Sequence, residues 1–254
     1  MSRQNIPGDD QIPQEIDAAT GLRIGPRVAD LIPAPRPQRI VLEGRTCRLE
    51  PLDPAKHGGD LFRASTPRDA AARFLYLSDE PPESFAAFEP WLRKSAASND
   101  PLFFAVIDKR TGRVEGRQTF MRIDTPNRVI EIGGIYWGPA IARSAVTTEA
   151  NYLFAKYAFE TLGYRRYEWK CNALNAPSRA AAVRFGFTYE GLFRRAVVTK
   201  GRSRDTAWFS IIAEDWPQLK GAYEAWLAPE NFDAAGQQKT ALSKLTHAAL
   251  ADHK

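Results

Sequence analysis

The spacing of apolar residues changes several times along the chain, and each change predicts an element. Val41-Leu42-Glu43-Gly44-Arg45-Thr46-Cys47-Arg48-Leu49-Glu50-Pro51-Leu52 reads as two short extended pieces around a Gly turn, ending before Asp53-Pro54. Lys56 to Ser98 is helical in character, with breaks at Pro67 and Pro81-Pro82. Phe85, Phe88, Trp91 and Leu92 recur there at helical spacing and predict a buried stripe. A meander follows. Leu102–Ile107 is apolar, Lys109-Arg110-Thr111-Gly112 turns, Val114–Ile123 is a strand, Thr125-Pro126-Asn127 turns again, and Val129–Trp137 is a strand.

Ala150, Leu153, Phe154, Tyr157 and Ala158 then hold the i, i+3, i+4, i+7, i+8 pattern of a helix, with Gly163 at its stop position. Tyr167, Trp169 and Cys171 alternate with Glu168, Lys170 and Asn172, which predicts a strand with one buried face. A short helix is expected over Pro177–Phe185. A closing hairpin is expected from Phe187–Thr199 and Thr206–Ile212 around Lys200-Gly201-Arg202-Ser203-Arg204. Beyond Trp216-Pro217 the pattern gives a helix to Leu227, a break at Pro229 and an Ala-rich helix.

There is no internal repeat. The expected organisation is a Pro-rich tail or strap over residues 1–40, a body over 41–217 and a helical extension over 218–254. The segment ending in Pro33-Ala34-Pro35-Arg36-Pro37 is too polar to order itself by apolar burial. The body reads as a mixed α/β domain of antiparallel strands with helices inserted.

Composition narrows the chemistry. With 254 residues and 44% hydrophobic content, the chain can bury a substantial core. No apolar run approaches the roughly 18 residues of a membrane span, and Met1–Gly8 has no apolar stretch of the secretory kind. A cytoplasmic protein is expected, with Cys47 and Cys171 as buried thiols. The only histidines are His57, His247 and His253, so the central region cannot supply a Ser-His-Asp system or a histidine-based zinc site. No metal is expected, and chemistry must rest on carboxylates, hydroxyls and backbone amides. A net charge of +5 suits an anionic ligand. Arginines are dispersed instead of blocked, so nucleic acid is disfavoured despite Arg194-Arg195 and the Lys200–Arg204 turn.

Several short motifs, in order, resemble the GCN5-related N-acetyltransferases, and within them the RimJ/RimL type. They are Ile130-Glu131-Ile132-Gly133 with Trp137, Thr148-Glu149-Ala150, Asn175-Ala176-Pro177-Ser178 ahead of Gly186-Phe187, and Arg204-Asp205. The resemblance covers about Thr46 to Asp215. It implies the family's α+β fold, a mixed, mostly antiparallel sheet of six to seven strands flanked by helices. It also implies acetyl-CoA as cosubstrate and a primary amine, a protein N-terminus or small molecule, as acceptor.

Acetyl transfer needs a pyrophosphate site, an aligned pantetheine arm, a polarised thioester carbonyl and proton handling. A helix N-terminus supplies N–H donors and a positive dipole end for pyrophosphate. The family's loop usually reads Gln/Arg-x-x-Gly-x-Gly/Ala. Here Ala142, Arg143, Ser144, Ala145, Val146 and Thr147 stand in its place, without glycine, followed by Thr148. Arg143 could restore charge, and Ser144 or Thr147 could donate a hydroxyl or simply cap the helix. Gly133-Gly134 permits a bulge, and the resemblance implies an N–H near Tyr136 or Trp137 for the thioester oxygen.

Asn175 is expected to bond the pantetheine arm or to cap the helix after it. The family's usual Tyr acid falls at Ala182, leaving Ser178 as the remaining hydroxyl. Glu131, pointing opposite to Ile130 and Ile132, is the candidate base or amine ligand. The alternative keeps the fold without catalysis, as a ligand-binding or regulatory module. The sequence leaves open whether the protein is a monomer or a homodimer.

Overall fold

The structure is a computed structural model and describes residues 12–251. It divides into two compact units, split between Ile32 and Pro33. In the first, β1 (Glu15–Ile16) pairs antiparallel with β2 (Arg23–Ile24). The Asp17 carboxylate closes their turn by accepting from the Thr20 N–H at 2.9 Å and the Thr20 hydroxyl at 2.5 Å.

The second unit holds β3 (Leu42–Glu43), β4 (Cys47–Pro51), α1 (Pro54–Ser65), α2 (Ala70–Phe74) and α3 (Phe85–Ala97), then β5 (Leu102–Asp108), β6 (Arg113–Asp124) and β7 (Val129–Trp137). After these come α4 (Ala145–Lys156), running into a π turn (Tyr157–Thr161), β8 (Arg166–Asn172), α5 (Ala176–Arg184), β9 (Thr188–Thr199) and β10 (Arg202–Ile212). The chain ends in α6 (Trp216–Leu227), a 3-10 turn (Pro229–Asn231) and α7 (Leu242–Ala251). The expected α+β architecture is present, with eight strands in the order β3-β4-β5-β6-β7-β8-β10-β9 where six to seven were expected. The β7–β8 pair is parallel; the other pairs are antiparallel.

Local chemistry sets the helix limits. Asp53 opens α1 by accepting from the N–H groups of Ala55 and Lys56, with Pro54 in the first turn. Ser84 does the same for α3 through Ala87 N–H. Gly163, at φ +68°, ends the helical run where the spacing predicted. The main core lies between one sheet face and α4 to α7, with Phe104, Phe120, Phe154, Tyr167, Trp169 and Phe185 at its centre. A smaller core on the other face joins Leu61, Phe88 and Leu92 of α1 and α3 to Leu52 and Ile107. Of the predicted α3 stripe, Phe88 and Leu92 are buried and Phe85 is exposed.

Both boundaries of the expected body are crossed by packing. Pro33–Gln38 is tied down: Ala34 N–H donates to Thr125 O, and the Tyr157 hydroxyl accepts from Gln38 N–H. The helices after Pro217 place Leu219, Tyr223, Trp226 and Leu242 in the main core. The β8 strand also departs from expectation. On the polar face of β8, Glu168 is buried and the Lys170 side chain is largely covered, because each finds a charged partner on its own or an adjacent strand.

One carboxylate fastens the sheet edge to α4. Glu149 accepts from the N–H groups of Arg45 (2.8 Å), Thr46 (2.6 Å) and Cys47 (2.9 Å) and from the Thr46 hydroxyl (2.6 Å). A Cβ at Gly44 would lie 2.5 Å from the Glu149 carboxyl carbon, so that turn needs glycine for space. Burial works to raise the Glu149 pKa, but these donors outweigh it and hold the carboxyl below its ordinary value. A depressed folded pKa contributes stability that is present above the unfolded value and lost as pH falls through the folded one. Glu149→Gln should therefore cost about 2–4 kcal/mol near neutral pH. It should also flatten the fall in stability on acidification below about pH 4.5, both read from denaturant titrations at several pH values.

Candidate active site

The site begins where two parallel strands part. β7 and β8 pair from Val129↔Arg166 to Ile132↔Trp169, and their ladder then stops although β7 continues to Trp137 and β8 to Asn172. The gap between them is a V-shaped cleft bordered by exposed backbone groups. On its β6 side, β7 bulges: Thr119 faces Gly133 and Arg117 faces Tyr136, so the register slips between them. Gly134 sits at φ +54°, and a side chain at Gly133 would collide with Met121 Sδ. Two β6 side chains fix the bulge. The Thr119 hydroxyl donates to Gly133 O at 2.9 Å, and Arg117 Nη1 donates to Gly134 O at 2.7 Å.

Arg117 is buried, and its other guanidinium nitrogen pairs with Asp79 from the α2–α3 segment. The Trp91 ring lies 4.6 Å from the guanidinium carbon. Burial draws the Arg117 pKa down while Asp79 opposes it.

Gly138 N–H donates to Glu115 O across β6. Ladder alternation therefore turns the Trp137 N–H away from β6, toward the open cleft. Of the two residues expected to offer an amide, Trp137 is the one whose N–H faces the gap, and Tyr136 belongs to the β6 ladder. The Tyr136 side chain is also used structurally, its buried hydroxyl donating to Ala64 O at 2.6 Å. The Trp137 indole donates to Gln118 Oε1 at 3.2 Å, and Gln118 in turn donates to Ala150 O of α4.

The α4 N-terminus closes the top of the cleft. Arg143 takes φ +61° without being glycine and turns the chain into the helix. Ser144 occupies the cap position but makes no side-chain cap. Its hydroxyl donates to Ile141 O at 2.6 Å, and the Thr147 and Thr148 hydroxyls both donate to Ser144 O. The hydroxyls proposed from sequence as ligands or caps are thus spent on carbonyls, and the Thr147 and Thr148 side chains are buried. What this turn offers instead is the N–H groups of Ala145, Val146 and Thr147, the uncapped donors of a helix start. A cavity of about 520 Å³ lies against it, lined by Ser144, Ala145, Arg45, Asp108, Lys109 and Arg110 among others, so cations outnumber carboxylates around it.

The α5 N-terminus forms the β8 side. Asn175 Oδ1 accepts from Ser178 N–H at 3.1 Å, so its oxygen caps the helix. Ser178 Oγ accepts from the Trp169 indole at 3.0 Å. Burial pushes the Cys171 thiol up, and Ser178 draws it partly back. Ala182, where the family's Tyr acid is absent, is fully buried.

On the opposite sheet face, Glu131 lies in a charge ladder. Arg122 Nη1 reaches both its oxygens at 2.7 and 2.8 Å, and Lys170 reaches Oε2 at 3.0 Å and Glu168 at 2.7 Å. Arg122 is aimed there by a second bulge, at φ +48°, whose N–H donates to Asp100. Burial raises the Glu131 pKa, and Lys170 and Arg122 draw it back. A second cavity of about 520 Å³ opens beside this ladder, lined by Asp100, Arg122, Asn127, Val129, Glu168 and Lys170 among others.

The structure therefore gathers Trp137, Ala145–Thr147, Asn175 and Ser178 about one cleft. It sets Glu131 on the sheet face where the strands part. Arg117, Asp79 and Lys170 were not singled out from sequence. Arginine and aspartate 38 positions apart carry no local signal, and Lys170 read as a solvated residue.

Fold and cleft together define an acyl-transferase scaffold. An acetyltransferase (GNAT) domain model matches residues 47–188, and the chain belongs to the GNAT acetyltransferase family. A GCN5-related N-acetyltransferase structure from Brucella melitensis is 58% identical, covers 87% of this chain and all of its own, and superposes with a TM-score of 0.86. A probable acetyltransferase of the GNAT family from Chromobacterium violaceum is 36% identical over 76% of this chain and 96% of its own, with a TM-score of 0.71. The uncharacterized N-acetyltransferase p20 of Bacillus licheniformis is 32% identical over 117 residues, which span 44% of this chain and 63% of that relative.

The buried Arg117–Asp79 pair should behave as a unit. Arg117→Met should destabilise the fold by about 3–5 kcal/mol, because Asp79 and Gly134 O lose their partner. In a double-mutant cycle with Asp79→Asn, denaturant unfolding should show coupling of at least about 1 kcal/mol. Additive effects would mean that the pair does not hold the bulge.

Proposed function

We propose that the protein transfers an acetyl group from acetyl-CoA to a primary amine by direct attack in a ternary complex, as a RimJ/RimL-like member of its family. The observation that carries this reading is the uncapped α4 N-terminus standing over the divergence of β7 and β8. It presents helix N–H donors to an anion and, a few residues below, an unpaired strand amide to a carbonyl.

In this reading the N–H groups of Ala145, Val146 and Thr147 hold the pyrophosphate, with Arg143 at the mouth adding charge. The pantetheine arm lies along the open edge of β7, with the Asn175 side chain and the α5 N-terminus on its other side. The Trp137 N–H polarises the thioester oxygen, where negative charge develops in the tetrahedral intermediate. Glu131 binds the acceptor amine and takes its proton through water, a reading supported by its pairing with the Lys170 ammonium. Ser178, whose Oγ already accepts from Trp169, keeps its own hydrogen for the departing thiolate. Acetyl-CoA supplies the activated acyl group. The protein supplies position, a pre-set oxyanion donor and the proton route.

Calorimetry should show acetyl-CoA binding in the micromolar range, and a thiol-release assay over an amine panel should show turnover. Glu131→Gln should lower kcat/KM roughly 100-fold, and Ser178→Ala on the order of 10-fold. The acidic limb of the pH profile should lie above the ordinary carboxylate range, since a base is lost as pH falls through its pKa and burial raises that of Glu131. In Glu131→Gln that limb should vanish. Unchanged rates in both variants would overturn these roles. Cofactor binding without transfer to any amine would favour the alternative of a ligand-binding or regulatory module, to which the ion-paired state of Glu131 already lends weight.

A further inference from the structure

Three cations on the open sheet face have carboxylate partners, and Arg204 is not among them. Arg122 is held by Glu131, Lys170 by Glu131 and Glu168, and Arg166 by Glu168 and Glu190. The side chain of Arg204, near the start of β10, has no hydrogen bond or ion pair among the described residues. Its Nε is buried without a partner. Two residues along, Thr206 is buried, and its Oγ1 also lacks a partner. Buried polar groups are nearly always satisfied, and a partly buried guanidinium without an anion is costly. Two such groups side by side point to a ligand that completes them.

Both residues face the acceptor side. Alternation along β10 puts residues 204, 206 and 208 on one face. That face is fixed by Trp208, whose ring lies 3.7 Å from Lys170 Nζ, the group that bonds Glu131. The bulge beside them lies in β9, because Arg204 faces Val197 and Thr206 faces Phe193, so the alternation of β10 is kept. Arg204 also lies within electrostatic range of Cys171, Arg122 and Glu131. Four residues before it, the hairpin tip is fastened across to the α2–α3 segment, with Lys200 Nζ 2.9 Å from Phe74 O and 3.0 Å from Glu80. The same segment supplies Asp79 to Arg117, so it is fastened at both ends.

We propose that Arg204, backed by the Thr206 hydroxyl, is a carboxylate subsite of the acceptor pocket, so that the preferred acceptors are primary amines that also carry a carboxylate. This rests on the acyl-transfer reading and names the substrate class of the same site. A single guanidinium offers two parallel N–H donors to one carboxylate.

The test compares an amino acid, its carboxamide and the corresponding decarboxylated amine, each with acetyl-CoA in the thiol-release assay. Calorimetric binding of the N-acetylated amino acid is measured in parallel. The free acid should exceed the other two in kcat/KM by about 10- to 100-fold, with the difference in KM. Arg204→Met should bring the three compounds to within a few-fold of one another and abolish the calorimetric signal. Arg204→Lys should keep part of the preference, and Thr206→Val should reduce it. Circular dichroism checks that each variant is folded. If Arg204→Met does not fold, the Arg204→Lys and Thr206→Val ratios decide.

Equal rates for the three compounds in the wild type would overturn the subsite and leave the acyl-transfer reading standing. A preference that survives in every variant would overturn it as well. If no amine is acetylated, the acyl-transfer reading falls separately. Calorimetry then decides the subsite alone: binding lost on Arg204→Met supports it, and absence of binding to the wild type overturns it.

Discussion

A parallel strand pair that separates partway along its length must be held apart, and this structure depends on how that is done. Left to themselves, β7 and β8 would continue their ladder, because unpaired strand edges are costly unless water or a ligand satisfies them. The ladder stops after Ile132↔Trp169 because β7 is pulled toward β6. Thr119 and Arg117 take the carbonyls of Gly133 and Gly134, and the positive φ of Gly134 absorbs the resulting slip. The force comes from a guanidinium that cannot relax into water. Arg117 is buried, so its donors must be used within the protein, and Gly134 O, Asp79 and the Trp91 face are what it has. The cleft is therefore held by contacts within the protein itself.

The same logic explains the α4 N-terminus. A helix start without a side-chain cap leaves N–H donors unmet, and here hydroxyls that could have met them are committed to carbonyls. Glu149, one turn along, ties the helix to the β3–β4 edge. Gln118 holds it from the sheet through Ala150 O, and Tyr223 of α6 holds it through Asn151. With three separate anchors, the first turn of α4 keeps its direction whether or not an anion is bound. Preorganisation of this kind lets oriented dipoles act without reorganisation cost.

Much of this was legible in the sequence, and the remainder was hidden for physical reasons. The limits of β7, the stop at Gly163 and the helix after Asn175 follow local signals of period, φ and capping, and the structure has them where those signals fall. Where the loop lacks glycines, Arg143 itself adopts the left-handed conformation, and Ser144 makes no side-chain cap. Period-two alternation misled at Glu168 and Lys170, because it separates apolar from polar and not buried from solvated. A charged residue is buried when partners reach it from neighbouring strands, and register across strands is not written in either strand alone. Arg117–Asp79 and Lys200–Glu80 are tertiary pairs of the same kind, 38 and 120 residues apart in sequence.

These pairs also link the two halves of the site. Asp79 and Glu80 are neighbours in the α2–α3 segment. One is anchored to β6 beneath the bulge and the other to the tip of the β9–β10 hairpin. Their energetic weights differ. Arg117 is buried, so its pair is broken only at the cost of stranding a charge, whereas Glu80 is largely exposed and its pair with Lys200 is screened. The segment is thus fixed firmly at β6 and lightly at the hairpin tip. The strong anchor holds the bulge, and with it the direction of the Trp137 amide, whereas the weak one contributes little to the fold.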